Sequence, residues 1–204
     1  MISTRYKSFF NELFEPVALW LRRLGVSPNQ MTVAGLILGI LGCLTFLHTR
    51  NLYLFIILIV LAGIFDAIDG VLARASGRVT KFGAYLDAMC DRLFEGAVML
   101  AVAIATGRWV LIFLAMLGSY SVSYAKARAA IETTVSNTEW PDLMERFERD
   151  IIFISGFFLS ELFHIQIAGH DLFFWVLIGL NAAVYFTVIQ RILRAKRLIE
   201  SRSL

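Results

Sequence analysis

The run from Leu52 to Arg74 reads LYLFIILIVLAGIFDAIDGVLAR, and the fold turns on how it is read. From Leu52 to Phe65 it carries no charge, the pattern of a membrane span. It then continues through Asp66, Asp69 and Arg74 without losing its apolar character. Asp87 and Asp91 follow in the next apolar segment, beside Leu86 and Met89. An ionisable side chain inside a span is costly and by default marks a functional site. Four carboxylates between positions 66 and 91 therefore define a site within a membrane protein.

Composition agrees. The 204 residues are 58% hydrophobic and 17% charged, with a mean hydropathy of +0.71. Soluble domains hold about 45–50% apolar and about 25% charged residues, so a soluble core of this size would not hide the surplus. The expected fold is an all-α integral membrane protein. It has one domain over 1–204, divided into an interfacial helix at 4–24 and a six-helix transmembrane bundle at 29–194. Six hydrophobic runs of span length mark the bundle, at 33–48, 52–73, 84–106, 108–129, 150–168 and 172–194. No nucleic-acid partner is expected; the lipid bilayer is.

Orientation follows from the rule that Lys and Arg gather in cytoplasmic loops. Six spans put both termini on one side with the loops near 74–83 and 130–149. Of the 19 basic residues, all but Arg50 and Arg108 then share that side, which predicts cytoplasmic termini and a cytoplasmic acidic motif. Glu12, Glu15 and Pro16 interrupt any apolar core of a signal peptide near the start. Cys43 and Cys90 lie in different predicted spans with no metal spacing, and read as small buried hydrophobes.

Before the first span, Tyr6, Phe9, Phe10, Leu13, Phe14, Val17 and Trp20 recur at steps of three and four. Arg5, Lys7, Glu12 and Glu15 fall between them. That is the pattern of an amphipathic helix lying in the interface plane, kinked near Pro16; packing on a soluble partner is the alternative. Ser27-Pro28 predicts an N-cap with proline at the first helical position. Gly35 and Gly39 form a small-xxx-small pair that permits close helix approach. The polar stretch from Glu132 to Arg149 includes Ser136-Asn137-Thr138 and Trp140-Pro141-Asp142, and reads as a loop with at most a short helix.

Asp66 and Asp69 are three apart and share one helix face. Gly83, Asp87 and Asp91 step by four along a stripe of the next span. Two neighbouring helices can thus bring four carboxylates to one point, where they would repel unless cations compensated them. Hard divalent ions with oxygen ligands fit, and Mg²⁺ or Mn²⁺ keeps room for water and substrate phosphates. Gly70 and Gly83 remove side chains where a bulky ligand must approach. Arg74 can fork onto a phosphate, or merely snorkel to the interface. The alternatives for the carboxylates are a proton or cation pathway, or a structural ion-pair network.

With these residues in place, the chain resembles the CDP-alcohol phosphatidyltransferase family. That family's signature, D-x2-D-G-x2-A-R-x8-G-x3-D-x3-D, is complete in Asp66, Asp69, Gly70, Ala73, Arg74, Gly83, Asp87 and Asp91. The resemblance implies six transmembrane helices, a juxtamembrane amphipathic helix and a homodimer. It also implies attack by an acceptor hydroxyl on the β-phosphate of a CDP-linked lipid, with release of CMP. By position, Asp66 and Asp87 would bridge two Mg²⁺ ions (Mn²⁺ being the alternative), Asp69 would hold one and Asp91 the other. Asp91 would also be the general base. Asn29, Gln30, Met31 and Thr32 resemble the P-N-x-x-T entry to the first span. With Asp66, Asp69, Gly70, Arg74, Thr80 and Gly83 they would border the CDP-lipid.

A second, shorter resemblance concerns the acceptor. Ser123-Tyr124-Ala125-Lys126-Ala127-Arg128-Ala129, then Glu145-Arg146-x2-Glu148-Arg149, look like the branch of phosphatidylinositol phosphate and archaetidylinositol phosphate synthases. Ala130 departs from it, standing where that branch often has an acidic residue. The resemblance implies inositol 1-phosphate as acceptor and CDP-diacylglycerol or CDP-archaeol as donor. Lys126, Arg128, Arg146, Arg149, Arg191 and Arg194 lie at three predicted helix ends. A phosphorylated acceptor would use such cations; anchoring to anionic headgroups is the plainer role. Glycerol 3-phosphate is the rival acceptor, and a cation transporter or a silent scaffold are the rivals from other classes.

Overall fold

The computed structural model describes residues 2–133 and 144–202, with side chains from Leu13 onward. Ser136 to Thr138 and Trp140 to Asp142 lie outside the described residues, as do the side chains of Arg5, Tyr6, Lys7, Phe9, Phe10 and Glu12. The chain divides into two compact units, Met1–Gly107 and Arg108–Leu204.

The first unit holds α1 (Ile2–Arg23), α2 (Pro28–Thr49), α3 (Leu52–Ala75) and α4 (Lys81–Thr106). The start of α2 is fixed by a reciprocal capping box. Gln30 N donates to Ser27 Oγ at 3.3 Å and Ser27 N donates to Gln30 Oε1 at 2.8 Å, satisfying two of the orphan donors at a helix start. Asn51 caps α3 through Leu54 N, and Thr80 caps α4 through Gly83 N at 2.9 Å. A left-handed Gly107 (φ 69°) closes α4, a conformation with no steric penalty for glycine.

Both α3 and α4 pack principally on α2, and glycines on α2 explain how closely. A Cβ at Gly35 would meet Phe65 Cβ at 3.1 Å, one at Gly42 would meet Leu58 Cβ at 2.9 Å, and one at Gly39 would overlap the Phe94 ring. The expected Gly35/Gly39 pair thus works, with α3 on one residue and α4 on the other. The helix α1 buries Ala18, with Phe14 and Leu21, against Ile68, Val71 and Leu72 of α3. Leu13, Val17 and Trp20 remain exposed. Pro16 sits inside an unbroken helix.

The second unit holds α5 (Trp109–Glu132), α6 (Arg146–Phe163), a two-residue antiparallel hairpin of β1 (Gln166–Ile167) and β2 (His170–Asp171), and α7 (Leu172–Arg202). Polar side chains tie α7 to α5: Asn181 Nδ2 donates to Leu111 O at 3.1 Å and Tyr185 Oη to Leu114 O at 3.2 Å. Phe153, Phe157 and Phe173 join α6 to α7. At the hairpin, Arg108 pairs with Asp171, Asp171 caps α7 through Phe174 N, and Trp175 Nε1 donates to Ile167 O at 2.9 Å.

A helix occupies each of the six positions read as spans. Among the described residues, α2, α3, α5 and α7 are long and apolar enough to cross a membrane. The other two fall short for different reasons: α4 carries Asp87, Asp91, Arg92 and Glu95, and α6 is short and opens on Arg146, Glu148, Arg149 and Asp150. Two boundaries differ from expectation. Arg146 and Arg149 stand within α6 rather than in a loop, and α6 ends at Phe163 rather than at 168. His164 (φ 50°) terminates it and the hairpin follows.

A carboxylate site on two helices that share a third

Asp66, Asp69 and Asp87 each present a carboxylate oxygen, and these oxygens lie within 4.8 Å of one another. The three-residue step on α3 and the packing of α3 and α4 on α2 bring them together. Asp69 is 6% exposed and takes a 2.5 Å hydrogen bond from Thr32 Oγ1 of α2. Such a cluster of like charges in low dielectric calls for cations. The all-oxygen donor set suits a hard divalent ion; a thiol is absent from the cluster.

Asp91 stands one turn further along α4, an advance of about 6 Å along the axis. It lies outside the three-oxygen group and lines a cavity of about 20 Å³ with Thr32, Asp66, Cys90 and Phe94. That is room for one water-sized ligand. Three carboxylates therefore converge, and the fourth shares a cavity with Asp66 and Thr32. Cys90 and Cys43 are both buried free thiols.

Around the carboxylates, the expected donor-site residues take distinct places. Thr32 faces Asp69. Asn29 Oδ1 and Thr80 Oγ1 approach Gly83, where a Cβ would meet them at 3.2 and 3.0 Å. Arg74 is exposed, and its guanidinium folds over Gly70, within 3.4 Å of where a Cβ would stand. Met31 is buried in the core against α1 and α3, and Gln30 is taken up by the capping box. These two shape the entry to α2 rather than facing the cluster.

The cations of the second unit stand in different surroundings. Lys126 falls on the packed stripe of α5 that includes Ser119, Val122 and Ala129. Arg191, buried at 6% exposure, donates to the Val122 carbonyl one turn before Lys126. Arg128 is about 200° around the helix from Lys126. It pairs with Glu132 at 2.5 Å and lines an open groove of about 490 Å³ with Tyr124, Ala125, Ile192 and Ala195. Arg149 is 1% exposed and donates to Met144 O at 2.9 Å. Arg146 lies 3.4 Å from Asp150, and Arg194 is half-buried.

Sequence reasoning missed one polar pair. Glu95, 4% exposed, meets Arg92 Nη1 at 3.0 Å. The available signal was the stripe itself, since Gly83, Asp87 and Asp91 continue by another step of four to Glu95.

Known proteins resemble this chain in sequence and fold. The family model for CDP-alcohol phosphatidyltransferases matches residues 25–189. Archaetidylinositol phosphate synthase of Pyrococcus horikoshii is 35% identical over 187 residues, covering 91% of this chain and 92% of that protein. Phosphatidylinositol phosphate synthase of Mycobacteroides abscessus is 34% identical over 189 residues, covering 89% and 83%. Among solved structures, Mycobacterium tuberculosis phosphatidylinositol phosphate synthase with CDP-DAG bound matches with a TM-score of 0.78 at 28% identity, covering 90% of this chain and 94% of that one. The same enzyme in complex with manganese and citrate matches with a TM-score of 0.77, covering 89% and 88%.

Proposed function

The chain belongs to the CDP-alcohol phosphatidyltransferase family, and from that premise we propose that it transfers a phosphatidyl or archaetidyl group from a CDP-linked lipid to a hydroxyl of inositol 1-phosphate, releasing CMP. The observation that carries the reading is the meeting of Asp66, Asp69 and Asp87 oxygens within 4.8 Å, with Arg74 folded over Gly70 beside them. The names of the relatives support the inositol phosphate acceptor, and the CDP-DAG complex of a homologue supports the donor.

In this reading Asp66, Asp69, Asp87 and Asp91 hold two divalent ions, Mg²⁺ or Mn²⁺; manganese in a homologue supports a divalent metal. When bound, such ions neutralise charge developing on the transferred phosphate. Asp91 accepts the acceptor's hydroxyl proton as general base. The bond from that oxygen to the β-phosphorus forms, the bond from phosphorus to the oxygen of CMP breaks, and CMP leaves with the electron pair. Thr32 fixes the rotamer of Asp69. Arg74 supplies a fork to the donor's phosphate, while Asn29, Thr80 and the bare Gly83 leave space for the nucleotide. Lys126, with the buried Arg149 and Arg191, holds the acceptor's phosphate; Arg146 and Arg194 add to the same charge. Arg128, paired with Glu132, is the weakest member of the expected set.

The wider setting belongs to the same proposal. Residues 1–204 act as one domain, supported by a family match that spans both compact units. All six helices from α2 to α7 cross the bilayer, α1 lies in the interface, both termini and the site face the cytoplasm, and the protein is a homodimer.

The test is a product assay on the purified full chain, with CDP-diacylglycerol or CDP-archaeol. The panel is inositol 1-phosphate, free inositol, glycerol 3-phosphate and serine. CMP release with inositol 1-phosphate is expected to exceed the others. A preference for glycerol 3-phosphate overturns the acceptor assignment, and no CMP release with any member overturns the activity.

A further inference from the structure

The pair Arg92–Glu95 is left unused by the mechanism above, and its position is hard to explain by stability. Glu95 lies about 21 Å along α4, near the middle of a helix of about 39 Å. Its side chain is 2% exposed, that of Arg92 is 22% exposed, and Nη1 and Oε2 are 3.0 Å apart. The next turn of the same helix buries Val98 and Met99. Ion pairs in such surroundings usually gain little or nothing over well-packed apolar residues. The pair is also placed with respect to the metal-binding carboxylates. Glu95 continues the Asp87–Asp91 stripe one turn deeper, and Arg92 is the residue next to Asp91.

A guanidinium beside a cluster of carboxylates competes with divalent ions for the same oxygens. A fifth carboxylate on the stripe would deepen the repulsion among the other four. Each partner of the pair cancels the hazard posed by the other. We propose that Glu95 is a positioning residue that holds the Arg92 guanidinium on the deep side of Asp91, and thereby keeps it from competing with divalent ions at the aspartate site. This rests on the metal-site reading given above.

The experiment measures Mn²⁺ binding directly, by the electron paramagnetic resonance signal of free Mn²⁺, on full-length protein in detergent without substrate. Glu95→Gln removes the carboxylate that faces Arg92 and is expected to weaken Mn²⁺ binding about tenfold or more. A unit charge at ~4 Å and an effective dielectric of ~20 would change binding roughly a thousandfold, so an approach several times more distant still reaches about tenfold. Arg92→Gln/Glu95→Gln removes both charges and is expected to return binding to near that of the wild type. Glu95→Gln binding as the wild type, or a double variant as weak as Glu95→Gln, overturns the proposal. Should Glu95→Gln fail to fold, Arg92→Gln alone decides. Tighter binding, driven by the unbalanced Glu95 carboxylate, supports the proposal, and equal or weaker binding overturns it. If the wild type itself binds no Mn²⁺, the metal-site reading falls and takes this inference with it; a wild type that binds isolates the pair.

Discussion

Thr32 shows how one hydroxyl can serve a carboxylate site. It lies on α2, the helix that both acid-bearing helices pack against, and its Oγ1 contacts Asp69 Oδ2 at 2.5 Å and Pro28 O at 3.1 Å. Thr32→Val keeps the shape and removes the donor. A hydrogen bond to a charged group contributes about 1.5–3 kcal/mol, so the metal concentration for half-maximal CMP release should rise roughly tenfold. An unchanged metal titration would remove Thr32 from the site. Asp66, Asp69, Asp87 and Asp91 changed singly to Asn should each lose nearly all turnover, as should the wild type in chelator. Asp91→Asn separates base from ligand, because the three-oxygen group remains. It should retain one bound Mn²⁺ while losing CMP release, and substantial turnover would refute the base assignment. Lys126→Gln should raise the acceptor KM about tenfold or more with little change in the donor KM; equal changes in both would point to a structural lysine.

At the scale of elements, small residues decide how near two helices come. Gly156 of α6 faces Val176 of α7, where a Cβ would sit 2.5 Å from Cγ1 and 3.1 Å from Cβ. Valine is stiff at χ1, so the neighbour cannot turn aside. Gly156→Ala should destabilise the protein by about 1–3 kcal/mol, seen as a lower thermal midpoint in detergent. Gly179, on α7, has open space at the corresponding atom. Gly179→Ala should be neutral or stabilising by up to ~1 kcal/mol through helix propensity. Equal effects at the two glycines would mean that the α6–α7 approach is not set by Gly156.

At the scale of the molecule, the division of charge predicts a topology. Cysteines placed at Arg23 and Arg197 should be labelled only from the cytoplasmic side, and one at Gln166 in the hairpin only from outside. The native thiols, Cys43 and Cys90, are buried and give a low background. Labelling of Arg23→Cys and Arg197→Cys from opposite sides would break the six-span arrangement.

The helical class, the six helix positions, the Ser27 cap and the aspartates were legible in the residues alone. Each rests on local chemistry: apolar run length, a side chain that caps its own helix, and charges too costly to bury without purpose. Family membership was legible for the same reason, because eight fixed residues keep their spacing along the chain. What packs beside what was not legible. Sequence spacing treats the acid-bearing helices as direct neighbours, whereas α2 joins them, since its glycines admit a helix on each side. It places Arg128 with Lys126, although a step of two turns them to opposite faces. It passes over Glu95, whose partner Arg92 fills an i,i+3 relation indistinguishable on paper from an ordinary surface pair. Periodicity reports which residues share a face of their own helix. Only tertiary packing decides which neighbour that face meets, and so whether a charge there is solvated, paired or part of the site.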